Sequence, residues 1–472
     1  LDRSVVEVAG GTGLLGGRPG RLVTLTPAGR SALDALLTGR AGTPDRAARR
    51  LGRRLVDAGL AHPRPPATAG DRTPTVIVVV PVRDRADELD ACLAVLGAAY
   101  RVLVVDDGSR LPESIAAVCR RHGAQLLVRP HNGGPAAARN DALRVLDVDV
   151  VAFVDSDCRV PPAAIAGLLP YFADPAIGAA APRVRPRRDA HRPADTVIAR
   201  YAAARSALDM GAEEGPVGPD RRVRYVPAAT LLVRRQACGD GFDPRLRVGE
   251  DVDFVWRLGD RGWQVRYVPS VVVEHREPDR WSAHLARRFR YGTSAGPLAR
   301  RHAQRLVPVE VRAGPGAVLA AAARGRGRLA AAVWAAGTIV ALRQLAGTGV
   351  PSVRVVGWQL SSIWWTLVGL ARSTTTVIVP ALPLLAATRR GRRSCMALLL
   401  IALPELVEWW ERSPAVDPLR WVLAGAADDL AYGAGVWAGS LRSRTLAPLV
   451  PALRMPRLPR RRTDRPARRT AR

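Results

Sequence analysis

Between Thr75 and Val160 the hydrophobic pattern alternates between two periods. Val76 to Pro81 is a continuous, mostly β-branched run, the pattern of a strand covered on both faces. Arg83–Leu96 then sets Leu89, Leu93 and Leu96 on one face of an amphipathic helix. Tyr100–Val105 repeats the strand pattern and breaks at Asp106-Asp107-Gly108-Ser109, completing a βαβ unit. A helix over Pro112–His122, a strand over Ala124–Val128, a helix over Pro135–Leu146 and a strand over Val150–Val154 follow at the spacing of a parallel α/β domain. That fourth strand ends abruptly in acid, as Val-Val-Ala-Phe-Val-Asp-Ser-Asp. Ligands of open α/β sheets bind at the carboxyl edge of the strands. Side chains two apart in an extended chain point the same way, so Asp155 and Asp157 can converge while Ser156 turns aside.

Residues 1–62 form a separate pattern. Gly16–Leu25 enters a strand, and Thr26-Pro27 offers an N-cap with proline at the first helical position. Ala32, Leu33, Leu36 and Leu37 share one helical face. A second helix, from about Thr43, carries Ala47, Leu51, Leu55 and Val56 and stops at Gly59-Leu60, which is expected to lead into a final strand. Residues 63–74, rich in proline, alanine and glycine, read as a linker. The strand–helix pattern of the second unit occupies 75–305. From 306 to 453 uncharged runs alternate with arginine: Leu329–Leu342, Val355–Ala371, Ser373–Thr388 and Ser394–Pro404. Each is shorter than the ~20 apolar residues that a spanning helix needs, and Pro380, Pro383 and Pro404 interrupt them. Short spans with snorkelling arginines, amphipathic packing on an inner leaflet with Trp358, Trp364, Trp365, Trp409 and Trp410 at the interface, and a soluble helical domain all fit. Membrane association on the cytoplasmic side is the expectation. Residues 454–472 form an arginine-rich tail.

Composition changes this picture little. The 472 residues carry a formal charge of +29, contributed by arginine alone because lysine is absent. The excess is spread along the chain without a compact basic patch interleaved with aromatics, so nucleic acid is not the expected partner. Anionic diphosphates or an anionic membrane surface suit the charge equally well. The five cysteines are scattered, with no metal-site spacing, as expected for a reducing compartment. No charged-then-apolar segment opens the chain, and Leu1 in place of methionine fits a trimmed start or an alternative start codon.

Several acidic and glycine-rich stretches carry candidate chemistry. Asp155 and Asp157 are hard oxygen donors suited to Mg²⁺ or Mn²⁺, although Asp-Ser-Asp by itself equally fits a turn or a helix N-cap. In Asp106-Asp107-Gly108-Ser109 a carboxylate can accept the imide N–H of a uracil or a ribose hydroxyl, while glycine lets the backbone approach. Asn132-Gly133-Gly134-Pro135 leads into a helix, placing free N–H groups and Arg139 where a diphosphate can lie.

Val-Pro-Val-Arg-Asp at 80–84, Asp-Asp-Gly-Ser at 106–109, Asn-Gly-Gly-Pro-Ala-Ala-Ala-Arg-Asn at 132–140, Asp-Ser-Asp at 155–157, Gly-Phe-Asp at 241–243, Gly-Glu-Asp-Val-Asp-Phe at 249–254 and Gly-Trp-Gln-Val-Arg-Tyr-Val-Pro at 262–269 occur in one order. Together, across roughly residues 75–300, they resemble the family 2 glycosyltransferases of the GT-A fold. The resemblance implies a nucleotide-sugar site. Pro81, Asp84, Asp106, Asp107, Asn132, Gly133, Arg139 and Asp155 would face the donor, with Asp107 at the nucleoside. Asp157 would hold a divalent cation, Mg²⁺ or Mn²⁺, with Asp155 and His275 beside it. Of the acceptor-side pair Glu250-Asp251, Asp251 would be the general base of an inverting displacement. Arg287-x-x-Arg290-Tyr291 resembles the Gln-x-x-Arg-Trp motif of processive sugar polymerases, with Arg for Gln and Tyr for Trp; it implies acceptor or diphosphate contact and leaves processivity open.

The N-terminal unit resembles a winged helix, in particular the PqqD-like domains that bind leader peptides of ribosomally made precursors; with no diagnostic side chain, a structural or a DNA-binding winged helix fits the same pattern. Fused ahead of a GT-A domain, it resembles the glycosyltransferases of the actinobacterial mycofactocin system. That likeness implies transfer of glucose, from UDP-glucose, onto a peptide-derived redox cofactor to build a short β-glucan, with precursor peptide or pathway proteins as partners. A membrane glycan synthase with a lipid-linked or cell-wall acceptor is the alternative enzyme. A sugar-nucleotide-sensing regulator would be expected to lose acids at these motifs, whereas Asp107, Asp157 and Asp251 are all present.

Overall fold

The alternation of strand and helix patterns builds a mixed sheet. The computed structural model describes residues 1–17, 20–39, 45–66, 74–187, 196–303, 305–378 and 391–454. Most of the expected linker, Pro380, Pro383 and all but the first residue of the arginine-rich tail lie outside these residues.

At the N-terminus, strands β1 (Val6–Val8), β2 (Gly13–Gly16) and β3 (Arg21–Thr24) form an antiparallel sheet, followed by helices α1 (Pro27–Thr38) and α2 (Arg46–Ala58). Thr26 Oγ1 accepts from the Gly29 N–H (3.1 Å) and Asp45 Oδ1 from the Ala48 N–H (2.6 Å), so each helix starts on a side-chain cap. Leu14, Leu33, Leu55 and Leu60 are buried together. The expected final strand is not formed in the described residues that follow: the Asp2 N–H donates to the Leu60 carbonyl (2.8 Å), so the exit lies beside the start of the chain without extending the sheet. Arg53 pairs with Asp174 (2.7 Å) and Arg64 with Glu214 (2.7 Å), fixing this unit against the larger one.

Next come β4 (Val76–Val82), α3 (Ala86–Leu96), β5 (Arg101–Asp106), α4 (Pro112–His122), β6 (Gln125–Val128), α5 (Pro135–Val145) and β7 (Val150–Val154). Strands β4, β5, β6 and β7 are parallel, in the spatial order β7-β4-β5-β6. The double coverage inferred from the β4 run is present: Val78 and Val80 pack into the layer holding Leu89, Leu93 and Ile115, while Ile77 and Val79 face Ala138, Leu143 and Phe254.

The all-parallel expectation needs correction beyond β7. After β8 (Cys158–Arg159) and α6 (Pro162–Leu168), the chain forms β9 (Ile177–Pro186), α7 (Val197–Ala204), β10 (Gly215–Pro216) and β11 (Thr230–Arg234). β11 runs antiparallel to β7, with Thr230 opposite Val154, and antiparallel to β9 on its other side. Helix α8 (Glu250–Asp260) precedes β12 (Gln264–His275), which is parallel to β9. The sheet is therefore mixed, with β10-β12-β9-β11 on one side of β7.

Helices α9 (Trp281–Thr293) and α10 (Ala295–Arg301) lead to β13 (Glu310–Arg312) and then α11 (Ala313–Ala323), α12 (Gly327–Leu345), α13 (Ser352–Ile378), α14 (Gly391–Arg412) and α15 (Pro418–Arg442), closing with β14 (Ala452–Arg454). The sequence breaks expected at Arg372 and Pro404 do not end helices: α13 runs through the first and α14 through the second. Arg372 is drawn to Glu408 (2.5 Å), and Arg205 on the exit of α7 pairs with Glu405 (2.7 Å) and Asp429 (2.9 Å), so buried carboxylates hold these helices on the α/β unit. Burial pushes Glu405 up to about 7 despite these arginines. No described helix is long and apolar enough to cross a membrane.

Helix α15 lies against α9 through glycines. A Cβ at Gly435 would overlap the Phe289 carbonyl oxygen, and one at Gly292 the Tyr432 carbonyl oxygen. Gly435→Ala is expected to lower stability by about 1–3 kcal/mol through forced separation of the helices. Gly337→Ala on α12, where a Cβ meets nothing, is expected to be neutral or stabilising. Thermal denaturation of the two variants checks the contrast.

Candidate active site

The carboxyl ends of β4, β5 and β7 open into a cleft of about 1250 Å³. At the end of β4, Pro81 lines this cleft and Asp84 adopts φ +55°. The Asp84 N–H donates to Ser109 Oγ (2.9 Å), and the Asp84 carboxylate accepts from the Arg110 N–H (2.7 Å), which holds it below the usual carboxylate range. At the end of β5, the Asp106 carboxylate is buried and accepts from the Ser109 N–H (2.9 Å), capping the turn rather than reaching the cleft.

Asp107 does reach the cleft wall, but its oxygens are already engaged. They accept from the N–H groups of Gly133 (2.8 Å) and Gly134 (2.7 Å) and from Arg129. Asp107 thus sets the glycine loop, whose Asn132 Oδ1 accepts from the Gly134 N–H (3.0 Å) and from Arg247 (3.2 Å). Gly134 sits at φ +88°, a backbone conformation that side chains with a Cβ rarely adopt, so glycine suits this point of the loop.

Arg139, expected along a diphosphate, is instead buried under the loop on α5. Its Nη2 donates to Asp155 Oδ1 (2.7 Å) and its Nη1 to Glu250 Oε1 (2.9 Å), while its guanidinium lies 5.2 Å from the Phe242 ring centroid. One guanidinium therefore joins the acids at the end of β7 to those at the start of α8. Gly249, at φ +81°, turns the chain into α8 so that Glu250 and Asp251 occupy its first turn, favourable ground for negative charge. Asp251 Oδ1 accepts from the Val252 N–H (2.8 Å) and Oδ2 from the Ala228 N–H (3.4 Å). Burial nevertheless raises Asp251 above the usual range, and burial together with neighbouring Asp251 pushes Glu250 up to about 7 against the pull of Arg139. Asp155 is likewise raised by burial.

Asp157 differs from its neighbours. Burial would raise it, but His275 and Arg85 hold it well below the usual carboxylate range. Its Oδ2 accepts from Arg85 Nη1 (2.7 Å), and its Oδ1 lies 3.4 Å from His275 Nε2. Burial disfavours a charged His275, yet Asp157 and Glu277 outweigh it and lift the imidazole to about 9. Among the described residues no group of three or more His, Cys, Asp or Glu is arranged to hold a metal ion. Asp157 and His275 converge as an ion pair, and Asp155 is turned toward Arg139 instead.

On the opposite wall, Arg287 ion-pairs with Glu277 and lies 6.0 Å from the Tyr291 ring centroid; Arg290 is exposed at the rim. Burial raises the Tyr291 hydroxyl to about 12. The sequence reading did not single out Arg85, Tyr225, Arg247, Glu277 or Tyr432, all of which line the cleft. Glu277 stands two residues after the candidate His275 and so had a local signal; Tyr432, brought from α15, had none.

The profile of "Glycosyl transferase family 2" matches residues 77–209, and that of "Glycosyl transferase family group 2" matches residues 150–407. The chain is also 38% identical over 471 residues to the pre-mycofactocin glycosyltransferase of Mycobacterium tuberculosis (strain ATCC 25618 / H37Rv), covering 96% of this chain and 97% of that one. The chain belongs to the family 2 glycosyltransferases. It is 26% identical over 240 residues to an N-acetylglucosaminyltransferase of Rhizobium leguminosarum bv. viciae, covering 47% of this chain and 55% of the other. Among solved structures it resembles a mannosyltransferase from Pyrobaculum calidifontis in complex with GDP-Man and Mn²⁺, at 20% identity and a TM-score of 0.39, covering 71% of this chain and 95% of that chain. In this family 2 glycosyltransferase with the GT-A arrangement, the sheet edge, the start of α8 and α9 border one cleft.

Proposed function

We propose that this family 2 glycosyltransferase transfers glucose from UDP-glucose, with inversion, to a peptide-derived redox cofactor of the pre-mycofactocin type and extends it into a short β-glucan. The observation that carries this reading is the end-to-end likeness to the pre-mycofactocin glycosyltransferase, which spans the N-terminal unit as well as the catalytic one. The PqqD-like resemblance of residues 1–62 supports a role for that unit in holding the precursor peptide or another pathway protein.

In this mechanism Asp251 takes the proton of an acceptor hydroxyl as its oxygen attacks the anomeric carbon from the face opposite the leaving diphosphate. The bond to the diphosphate breaks as the new glycosidic bond forms, and the electron pair leaves with the nucleotide. Arg139 holds Glu250 and Asp155 beside the base, so the acids enter the reaction in fixed positions. Asp157 fits a partial cation site, since Mg²⁺ or Mn²⁺ commonly uses one or two carboxylates together with substrate phosphates, and His275 would join it only on losing its proton. A bound cation would offset negative charge on the departing diphosphate. Arg85 sits on Asp157 and can turn to a phosphate when that carboxylate is engaged elsewhere.

Asp157→Ala is expected to lower turnover by about 10²-fold or more and to abolish its sensitivity to EDTA. Equal turnover of the wild type with and without EDTA contradicts the cation role. The proposed substrates are tested by a donor and acceptor screen read by mass spectrometry. A hexose added from UDP-glucose to the peptide-derived cofactor supports the reading, and a product formed only on a lipid-linked acceptor overturns it.

A further inference from the structure

The helices that follow the catalytic unit combine unusual charge with unusual exposure. From Val311 to Pro404, 94 residues carry eleven arginines and no aspartate or glutamate. Beyond this run, Glu405 and Glu408 on α14 with Asp428 and Asp429 on α15 are turned inward onto Arg205 and Arg372, and the exposed acids Glu310, Glu411 and Asp417 lie outside α12 and α13. Arg326, Arg328, Arg343 and Arg354 are exposed, and no described carboxylate pairs with them. The charged residues of α12 and α13 are therefore all positive.

The outer surface of these helices is also apolar. On α13 Val353, Leu360 and Trp364 recur at seven and four residues, on one helical face, and Trp358 and Trp365 flank them; all are exposed. On α12 Leu329, Ile339 and Val340 are exposed likewise. Monomeric soluble proteins do not usually leave contiguous apolar surface of this kind uncovered. A second copy of the same face would set arginine against arginine. An anionic lipid leaflet supplies both an apolar layer for the tryptophans and leucines and negative charge for the arginines.

We propose that the outward faces of α12 and α13 dock this enzyme flat on an anionic bilayer, with the described helices lying on the leaflet and not crossing it. Because α15 carries Tyr432 into the cleft wall, packs on α9 and bonds to α13 through Trp437 Nε1 and the Thr376 carbonyl (3.0 Å), the docked face belongs to the same helical layer that builds the acceptor side of the site. The proposal does not depend on which donor or acceptor is used.

The test is co-sedimentation of the full chain with vesicles of phosphatidylcholine alone or containing about a third phosphatidylglycerol. Binding is expected to the anionic vesicles only, and to fall at least about tenfold in two separate variants. One is the combined Trp358→Ser, Trp364→Ser, Trp365→Ser chain; the other is Arg328→Gln, Arg343→Gln, Arg354→Gln, which leaves apolar packing untouched and stands as the test should the first fail to fold. Alkaline carbonate is expected to release the bound wild type. Equal binding to both vesicle types, undiminished binding by the arginine variant, retention in carbonate, or a solution dimer that the tryptophan variant dissolves would each overturn the proposal.

Discussion

Asp251→Asn is expected to lower kcat by about 10²–10⁴-fold while leaving donor binding near the wild-type value. The reason lies in the geometry at the start of α8. Asparagine preserves the size of the side chain and can still accept from the Val252 N–H, but it cannot take a proton. A parallel expectation concerns pH. A carboxylate acts as a base only when ionised, and burial raises Asp251 and lifts Glu250 to about 7. Activity should therefore rise with pH through the neutral range and fall as pH drops below about 7, well above the midpoint of an ordinary carboxylate near 4. The two acids sit side by side, so the acid limb belongs to the pair. Pre-steady-state kinetics with and without acceptor check the substitution: a kcat within a few-fold of wild type would remove Asp251 from the role of base.

Arg139→Met is expected to destabilise the protein by about 3–5 kcal/mol, because removing one partner of a buried ion pair strands the others. Here the stranded groups are Asp155 and Glu250, both bonded to this guanidinium, with Asp251 beside them. The sign of the pH effect follows from the raised Glu250. In the variant, the acids fold more easily when protonated, so the loss should be smallest at acidic pH and grow as pH rises through about 7 and above. Thermal denaturation across this range checks it. Arg139→Lys keeps the charge but cannot bridge both acids at once in the same fork, and an intermediate loss is expected. An unchanged midpoint in the methionine variant would show that the acids do not depend on Arg139.

The parts of the fold that could be read from residue order are those whose local chemistry matches their burial. β4, β5 and β7 are continuous apolar runs because helices cover both faces of the sheet, and each ends where its acids meet the cleft. The antiparallel half was hidden for the opposite reason. β9, written Ile-Gly-Ala-Ala-Ala-Pro-Arg-Val-Arg-Pro, uses small residues: a Cβ at Gly178 would press on Trp263, so this strand is lean where a bulky neighbour packs over it. β11 is a short strand that β7 and β9 hold in place from both sides.

The site shows the same division. Asp157 could be singled out because it stands at a strand end, whereas Glu250 and Asp251 were implied by the family resemblance of their motif. The linkage of Arg139 to both acid pairs could not be located, since it spans from α5 to α8 and depends on the tertiary approach of the two helices. Asp107 was legible as a motif acid, yet its carboxylate closes onto the Gly133 and Gly134 amides, a use that only the loop's folded path shows. Tyr432 reaches the cleft because glycines on α9 and α15 let the helices nearly touch, and nothing in its own neighbourhood announces that.

The central claim is a single displacement with Asp251 as base. Proton NMR of the new linkage during the first turnovers, with α-configured UDP-glucose as donor, tests it most directly. The account predicts a β-linked product in the wild type and a sharply slowed appearance of that same anomer in Asp251→Asn; an α-linked product would contradict it.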